Sequence, residues 1–310
     1  MIVSALAVPA AHLYVPDSPA RRKVRFGRPA AFLLSAWLVG LLLAVSQGPE
    51  WGWRSPPVLG LLIAAAVVLV AWIIAELQST YPLIDLRMMR LPPVWITNLV
   101  ALLFGAGQFA LFAFLPQFVQ TPGGAGYGFG STITEAGLLL LPMLITMFAA
   151  GLISGRVEAG FSSRAQLVTG SALSVLAFTA LALVHDAPWH VAVAAAVFGA
   201  GLGLVLSSMT NLIVTNVPAD QTGAASGMNA NVRTIGGAIG TAVVGSIVTA
   251  SPRPGGLPDE TGYSNGFLLL AGISVAAVTA ALAVPSRRRN AGDTPPQDQG
   301  EPPISSRTTG

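Results

Sequence analysis

The chain alternates between long apolar stretches and short polar ones. Eight of the stretches consist almost entirely of apolar and small side chains, at 29–46, 57–75, 94–118, 134–155, 165–184, 191–214, 232–249 and 266–284. A helix of about 20 apolar residues is long enough to cross the hydrocarbon of a bilayer. The pattern therefore predicts an all-α membrane protein with eight transmembrane helices joined by short loops.

The two ends of the chain differ from these spans. Residues 2–15 are apolar but too few to cross a bilayer, and basic residues follow them, whereas in a signal peptide the basic residues come first. We interpret 2–15 as the end of a helix whose beginning is missing; the alternative is an N-terminus that lies at the membrane interface. Residues 286–310 are rich in Pro, Gln, Asp, Gly and Ser, which predicts a disordered tail.

The composition excludes several classes of protein. Charged residues make up 9% of the chain, against about 25% in an ordinary soluble domain, and this argues against a soluble enzyme, a nucleic-acid binder and a disordered chain. The lipid bilayer is the expected partner. The chain has no cysteine, so disulfides and thiolate metal sites are excluded. Its three histidines lack a metal-ligand spacing, and neither a metal nor a cofactor is predicted.

The basic residues indicate the orientation of the spans. If the loop after residue 15 is cytoplasmic, 14 of the 16 Lys and Arg residues fall on cytoplasmic segments, and only Arg54 and Arg253 fall outside. This asymmetry is the positive-inside pattern of membrane proteins. It predicts a multi-pass membrane protein with a cytoplasmic C-terminus. Only one of the 16 basic residues is lysine, and this composition indicates a bacterial genome and hence a bacterial plasma membrane.

Polar residues within the spans are candidates for a substrate cavity. Gln108 lies near mid-depth, where an amide must face protein or water; the alternative is an interhelical hydrogen bond with a packing role. Methionines at helical spacing could line an adaptable pocket or simply pack. The full set of predicted lining residues is Asn98, Gln108, Phe112, Gln117, Met143, Met147, Ser207, Asn211 and Asn231.

Carboxylates are absent from the middle of every predicted span, although proton relays normally use an intramembrane acid. Glu135, at the start of a span, is the candidate for a proton-linked group. The alternative is a carboxylate in the first turn of a helix, where the helix dipole favours it.

Glycines spaced four apart recur in the later spans. The pairs Gly151–Gly155, Gly199–Gly203 and Gly236–Gly240 are expected to let two helix backbones approach closely. Pro116 and Pro142 lie inside predicted spans and are expected to kink or loosen them.

Four segments carry a family resemblance. They are 82–87 (PLIDLR), 114–120 (FLPQFVQ), 136–142 (AGLLLLP) and 223–240, which begins GAASGMNANVR and continues to GGAIG. Together with Asn98, they resemble the later half of a major facilitator superfamily exporter, and more narrowly the fourteen-helix drug:proton antiporters. Residues 151–164, with Arg156, Glu158 and Arg164, are similar to a degraded second copy of the superfamily's loop motif.

The resemblance implies four regions. Residues 1–28 would hold a helix remnant and a basic cytoplasmic loop, 29–91 two central linker helices, 92–285 a six-helix C-terminal bundle built as a 3+3 inverted repeat, and 286–310 the tail. It implies that the first five helices and most of the sixth are missing. It also makes Arg156 a gate residue and lets Arg233 contact a neighbouring loop; the alternative for both is a positively charged membrane anchor.

The resemblance further implies proton-driven export of small hydrophobic or cationic compounds. Three interpretations stay open for this chain. It is a half-exporter that works with a separate N-terminal half or a second copy; or a truncated form with no activity of its own; or a membrane scaffold or regulatory subunit that binds another transporter through its glycine-rich faces.

Overall fold

The computed structural model describes residues 28–79, 88–157, 160–219, 221–250 and 257–285. Eight helices in these residues are long and apolar enough to cross a membrane, which confirms the predicted number of spans. They are α1 (Arg28–Trp51), α2 (Pro56–Gln78), α3 (Pro92–Gln120), α4 (Ile133–Val157), α5 (Ser163–Leu183), α6 (Pro188–Asn216), α7 (Thr222–Val248) and α8 (Glu260–Leu282).

Several predicted features lie outside the described residues. They are the helix remnant at 2–15, nearly all of the basic loop that follows it, the 82–87 segment, Glu158 and the 286–310 tail. Short 3₁₀ turns at Met88–Arg90 and Gly123–Ala125 precede α3 and α4.

Local sequence explains where most helices begin. Proline occupies the first turn of α2, α3 and α6, where its missing N–H costs nothing. The hydroxyl of Ser162 accepts from the backbone N–H of Ala165 at the start of α5 (3.3 Å), and the carboxylate of Asp259 accepts from Glu260 N–H at the start of α8 (2.9 Å). These caps satisfy backbone donors that a helix leaves unpaired in its first turn.

Six helices, α3 to α8, form one bundle with an internal symmetry of packing. Its most extensive contacts are α4 with α6, α3 with α7, α5 with α6, α5 with α8, and α3 with α8. This set of contacts is unchanged when α3, α4 and α5 are exchanged for α6, α7 and α8. Since each unit has three spans, the second unit crosses in the opposite sense, as in an inverted repeat.

The helices α1 and α2 lie beside this bundle. They pack mainly on each other, and α1 also packs on α7. Leu34 and Trp37 of α1 share an apolar cluster with Trp72 of α2 and with Leu102 and Ile235 of the bundle. The pair therefore covers one flank of the α3–α7 contact.

The described part of α7 begins ten residues before the predicted span at 232. Its most apolar window has the lowest hydropathy of the eight helices, and the first part, Thr222 to Asn231, is rich in glycine, alanine and asparagine. Small and polar side chains hid this part of the helix from a hydropathy pattern. Arg233 therefore lies in the interior of α7 and not, as predicted, at the end of a span.

Aromatic side chains close one end of the bundle. The buried ring of Phe118, at the end of α3, lies 5.2 to 6.4 Å (between ring centroids) from the rings of Tyr127, Phe129, His185, Tyr263 and Phe267. We call this set the Phe118 cluster. It ties α3, α5 and α8 together at the level where α8 begins.

Polar contacts reinforce the same end. The hydroxyl of Tyr127 donates to the carbonyl oxygen of Pro258 (2.5 Å), and the imidazole Nε2 of His185 lies 3.0 Å from a carboxylate oxygen of Glu260. At the opposite end, the guanidinium of Arg164 donates to the carbonyl of Leu282 in the last turn of α8 (2.7 Å). A cation there complements the helix dipole.

Candidate functional site

The candidate site is built on the contact between α3 and α7. Contacts between the two helices advance in the same direction along both, from Asn98 with Asn229 to Leu102 with Gly236 and Ala106 with Gly240, so the helices are parallel. A Cβ atom on Gly236 would lie 1.9 Å from the carbonyl oxygen of Leu102, and one on Gly240 would lie 2.5 Å from Ala106. Glycine is needed at both positions because the two backbones touch.

An amide pair lies at one end of this contact. The side-chain N–H of Asn229 donates to the side-chain oxygen of Asn98 (2.9 Å), and the amide nitrogen of Asn98 lies 3.5 Å from the sulfur of Met89. Asn98, predicted to line a cavity, therefore has its oxygen engaged between helices. The sequence pattern missed Asn229, because this residue lies before the predicted start of its span. Arg233, Gly236 and Gly240 follow Asn229 by four, seven and eleven residues, so all four lie on one face of α7.

Two buried polar atoms near the middle of the contact have no hydrogen-bond partner among the described residues. They are the side-chain oxygen of Gln108 and the Nε of Arg233. Arg233 follows the first residue of α7 by eleven positions, which places it about 16 Å along the helix. A Cβ on Gly105 would lie 2.9 Å from the Cγ of Arg233. The aliphatic part of the Arg233 side chain thus packs over Gly105 of α3, about one helical turn before Gln108.

Both groups lie on the flank that α1 leaves uncovered. Ile235, which packs with α1, is two residues after Arg233 and so is turned about 200° around α7 from it. On α3, Leu102 packs with α1 and Gln108 is turned about 120° from it. Phe112, four residues beyond Gln108, follows on the same side and is exposed. Gln108, Phe112 and Arg233 therefore lie on one side of the α3–α7 contact, where the ring of Phe112 is exposed and the unpaired atoms of Gln108 and Arg233 are buried beneath the surface. We call this side the Arg233 flank.

Other predicted residues lie elsewhere. Gln117 is exposed, but nine residues separate it from Gln108, so it points to the opposite side of α3. Asn231 is half-buried and, two residues from Arg233, lies on another face of α7. The helical period therefore separates both amides from Gln108, and their lining of a substrate cavity stays a prediction.

Met143 and Met147 belong to the contact between α4 and α6. A Cβ on Gly199 would lie 2.1 Å from the carbonyl oxygen of Met143, and one on Gly203 would lie 2.3 Å from that of Met147. Met143 has only 2% of its surface exposed. Helix α6 therefore covers Met143, and the lining of a substrate cavity by this residue stays a prediction. The hydroxyl of Thr146 crosses the same contact and donates to the carbonyl of Ala196 (2.7 Å).

A separate polar cavity of about 520 Å³ lies between α4, α5 and α6. Ser207 and Asn211, both predicted lining residues, contribute to it, as do Gly151 and Gly155. A Cβ on Gly155 would meet no atom within 4 Å, and one on Gly151 only the hydroxyl of Ser207 at 3.8 Å. The backbone nitrogen of Gly151 would lie 3.0 Å from a Cβ on Gly203 of α6, so the expected close backbone approach reaches Gly151 but does not extend to Gly155, which borders the cavity.

Buried side chains that the sequence pattern missed support the wall of this cavity. Ser154 donates its hydroxyl to the side-chain oxygen of Gln166, whose amide N–H groups donate to the carbonyls of Ser154 (3.1 Å) and Phe161 (2.8 Å). Asn211 donates to the hydroxyl of Ser163 (2.8 Å). The polar atoms here are paired with each other, in contrast to those of the Arg233 flank.

Two further predicted residues lie at helix ends. The carboxylate of Glu135 accepts from the backbone N–H (2.8 Å) and the hydroxyl (3.0 Å) of Thr132, and its own backbone N–H lies 3.3 Å from that hydroxyl. This reciprocal arrangement is a capping box and accounts for an acid at that position. Arg156 is exposed in the last turn of α4, where a cation complements the helix dipole.

Comparison with known proteins assigns the family. The sequence model of the Major Facilitator Superfamily matches residues 1–241. The chain belongs to this superfamily. Its members are membrane transporters, and the resemblance that the exporter motifs carry is confirmed; the chain does not belong to an enzyme family.

The curated relatives of this superfamily member include resistance and export proteins. It is 30% identical to the tetracycline resistance determinant of Streptomyces rimosus over 71% of this chain and 63% of that protein. It is 27% identical to the tetracenomycin C resistance and export protein of Streptomyces glaucescens (85% and 48%), and 30% identical to the cephamycin export protein CmcT of Amycolatopsis lactamdurans (88% and 56%). The chain thus spans about half to three fifths of their length.

A solved structure supports the fold assignment. The nucleoside transporter NupG superposes with a TM-score of 0.52 at 18% identity, covering 83% of this chain and 65% of that chain. At this identity the likeness concerns the fold alone. It agrees with the packing of α3 to α8 as a major facilitator bundle.

Proposed function

We propose that the chain is the C-terminal portion of a proton-driven exporter of small, largely hydrophobic compounds in a bacterial plasma membrane, and that its part of the substrate path is the Arg233 flank. The observation that carries the site is the unpaired side-chain oxygen of Gln108 beside the exposed ring of Phe112 near mid-membrane. An unpaired amide at that depth costs free energy unless a ligand or a water molecule forms a hydrogen bond with it. The resistance and export relatives support an outward direction of transport.

Coupling to protons requires an acidic group that the described helices do not place in the membrane interior. Within the described residues, Asp and Glu side chains lie in loops or within three residues of a helix end. A proton-carrying carboxylate in the partner half of the transporter would supply this group. The chain would then contribute half of the cavity, and alternating access would need both halves.

The exposed apolar face of α4 is a surface on which a partner half would pack. Helix α4 is the least buried of the eight, and it exposes large apolar side chains along its length, namely Leu138, Leu141, Leu144, Ile145, Phe148 and Leu152. Lipid satisfies such a face as well as protein does. The exposed face therefore also supports the second candidate function, a membrane scaffold or regulatory subunit that binds another transporter.

Dye efflux tests the proposal. Cells deleted for their own drug exporters express residues 1–310 beside an N-terminal half of a related exporter, or alone as a control, and are loaded with tetracycline; the loss of fluorescence is followed with and without a protonophore. With both halves present, we expect efflux that the protonophore abolishes and that Gln108→Leu reduces, while Gln117→Leu, on the opposite side of α3, leaves it unchanged.

The contrary outcomes separate the alternatives. Absence of efflux from cells that insert the chain stably would refute autonomous transport. If another transporter then co-purifies with the chain, and leucine-to-asparagine changes on α4 abolish that association, the scaffold function is supported. If nothing co-purifies, the interpretation as a chain without activity of its own stands.

A further inference from the structure

Arg233 is unusual among the charged residues of this protein because of its depth. Within the described ranges, every other Asp, Glu, Arg, Lys or His lies in a loop or within three residues of a helix end, whereas Arg233 lies eleven residues from one end of α7 and fifteen from the other. A charge at the centre of a membrane protein is costly and is usually retained for a function. The cation therefore needs an anionic or strongly polar partner.

The surroundings of Arg233 supply no such partner from the described helices. The Cγ of Arg233 lies over Gly105, where the lack of a side chain leaves room for the arginine stem. Its Nε is buried without a hydrogen-bond acceptor, and the side-chain oxygen of Gln108, one turn further along α3, is buried without a donor. The Nε donor of Arg233 and the oxygen acceptor of Gln108 thus lie on the same flank, and neither is hydrogen-bonded within the described residues.

We propose, resting on the transport function above, that Arg233 and Gln108 bind the acidic group of the transported compound, a carboxylate or an ionised enol that carries a neighbouring hydroxyl or amide N–H. The guanidinium presents a planar set of N–H donors that matches a carboxylate. The Gln108 oxygen accepts only from an N–H or O–H, so it contacts the neighbouring donor rather than the anion. The site selects anionic or zwitterionic apolar compounds and repels cations, which replaces the cationic substrate expected from family resemblance.

The anion could instead come from a carboxylate on the partner half of the transporter. Both sources offer the same chemistry to Arg233. The open flank with the exposed Phe112 ring favours a small molecule, because an aromatic face at the mouth contacts an apolar ligand body. The experiment below separates the two sources.

Two fluorescent probes with one apolar body and opposite charges test the inference. The purified chain in lipid nanodiscs is titrated with 1-pyrenebutyrate and with 1-pyrenebutylammonium, and the ratio of the two dissociation constants is measured. We expect the anion to bind about tenfold more tightly than the cation, since a hydrogen-bonded charge contributes more than a neutral contact. The ratio does not depend on the fraction of folded protein in a sample.

Matched variants assign the preference to one residue. Arg233→Gln should bring the ratio to about one, and Arg233→Lys should keep part of the preference because it keeps the charge. Arg54→Gln, in the exposed loop between α1 and α2, should leave the ratio unchanged. Equal or stronger cation binding by the wild type, a ratio unaffected by Arg233→Gln, or the same fall with Arg54→Gln would each overturn the proposal.

The two sources of the carboxylate and the transport function give different results. If Arg233→Gln releases a co-purifying membrane protein but leaves the probe ratio unchanged, Arg233 pairs with another polypeptide and the ligand proposal fails. Efflux by the wild type with an unchanged ratio refutes this inference alone. An Arg233-dependent ratio without efflux supports the inference and refutes autonomous transport.

Discussion

The two parallel helix contacts of the bundle, α3 with α7 and α4 with α6, are built alike but carry different chemistry. In each, two glycines on the later helix press against backbone of the earlier one: Gly236 and Gly240 on α7, and Gly199 and Gly203 on α6. The α4–α6 contact is crossed by one hydroxyl, that of Thr146. The α3–α7 contact carries an amide pair, an unpaired amide oxygen and an arginine.

This difference shows that packing and function follow separate rules in the bundle. The inverted repeat duplicates the backbone approach, because both contacts need small residues where lipid provides no hydrophobic drive for association. Of the two contacts, only α3–α7 carries buried polar atoms without a hydrogen-bond partner among the described residues. This asymmetry supports the proposal that the α3–α7 contact carries the substrate path, and changes at both contacts test the comparison.

The largest effect is expected from filling the glycine contacts. Gly236→Leu and Gly199→Leu should each destabilise the protein by about 3 kcal/mol or more, because the new side chain meets backbone that cannot move aside. Thermal unfolding of the purified protein in one detergent measures this. Gly155→Leu and Gly223→Leu are controls on α4 and α7, since a Cβ at either position meets no atom within 4 Å. Equal unfolding temperatures for Gly236→Leu and Gly155→Leu would contradict the close backbone contact.

The amide pair should have the next largest effect. Asn229→Leu should cost about 1–2 kcal/mol of unfolding free energy, because it leaves the buried oxygen of Asn98 without its donor. The double variant Asn98→Leu/Asn229→Leu should be less destabilised than the sum of the single variants, because no unpaired amide remains. Strict additivity in this double-mutant cycle would show that the two side chains do not interact.

The hydroxyl of the α4–α6 contact should matter less. Thr146→Val keeps the shape of the side chain and removes its bond to Ala196, so we expect a loss of about 0.6 kcal/mol, the usual value for such bonds between membrane helices. The same unfolding assay applies. A loss as large as that of Asn229→Leu would remove the proposed asymmetry between the two contacts.

The smallest effect on stability is expected at Gln108. Replacement by leucine removes a buried oxygen that has no partner, so the unfolding free energy should stay unchanged or rise by up to about 1 kcal/mol. Efflux of tetracycline, which carries hydroxyl and amide N–H donors, should nevertheless fall. Gln117→Leu serves as the control on the opposite side of α3. A marked destabilisation by Gln108→Leu would indicate a structural bond and not a ligand contact.

Much of the fold could be predicted because the solvent is the bilayer. A uniform apolar run is the signal of a span, and all eight spans were found from it. The start of α7 was missed since ten residues rich in glycine, alanine and asparagine lower the hydropathy below that signal. The misplaced start also put Arg233 at a helix end, where a positively charged anchor is an adequate explanation.

The candidate site was harder to predict from residue type alone. Asn98, Gln108 and Gln117 are chemically similar, yet one pairs across the α3–α7 contact, one is unpaired and one lies on the opposite side of α3. Helical spacing separates Gln108 from Gln117, and could have been used. The pairing of Asn98 depends on which helix lies beside it, 131 positions along the chain, and no local pattern contains that information.

The Phe118 cluster should make the two ends of the bundle differ in how often their helices open locally. Rings of α3, of α8 and of His185 just after α5 pack together at one end, whereas at the opposite end a cavity lies between α4, α5 and α6. Amide hydrogens in the last turns of α3 and α5 should therefore exchange with deuterium only through rare, cooperative openings, and those near Ser154 and Gln166 through frequent local fraying. Opening of the bundle would then pivot about the end that the Phe118 cluster holds together.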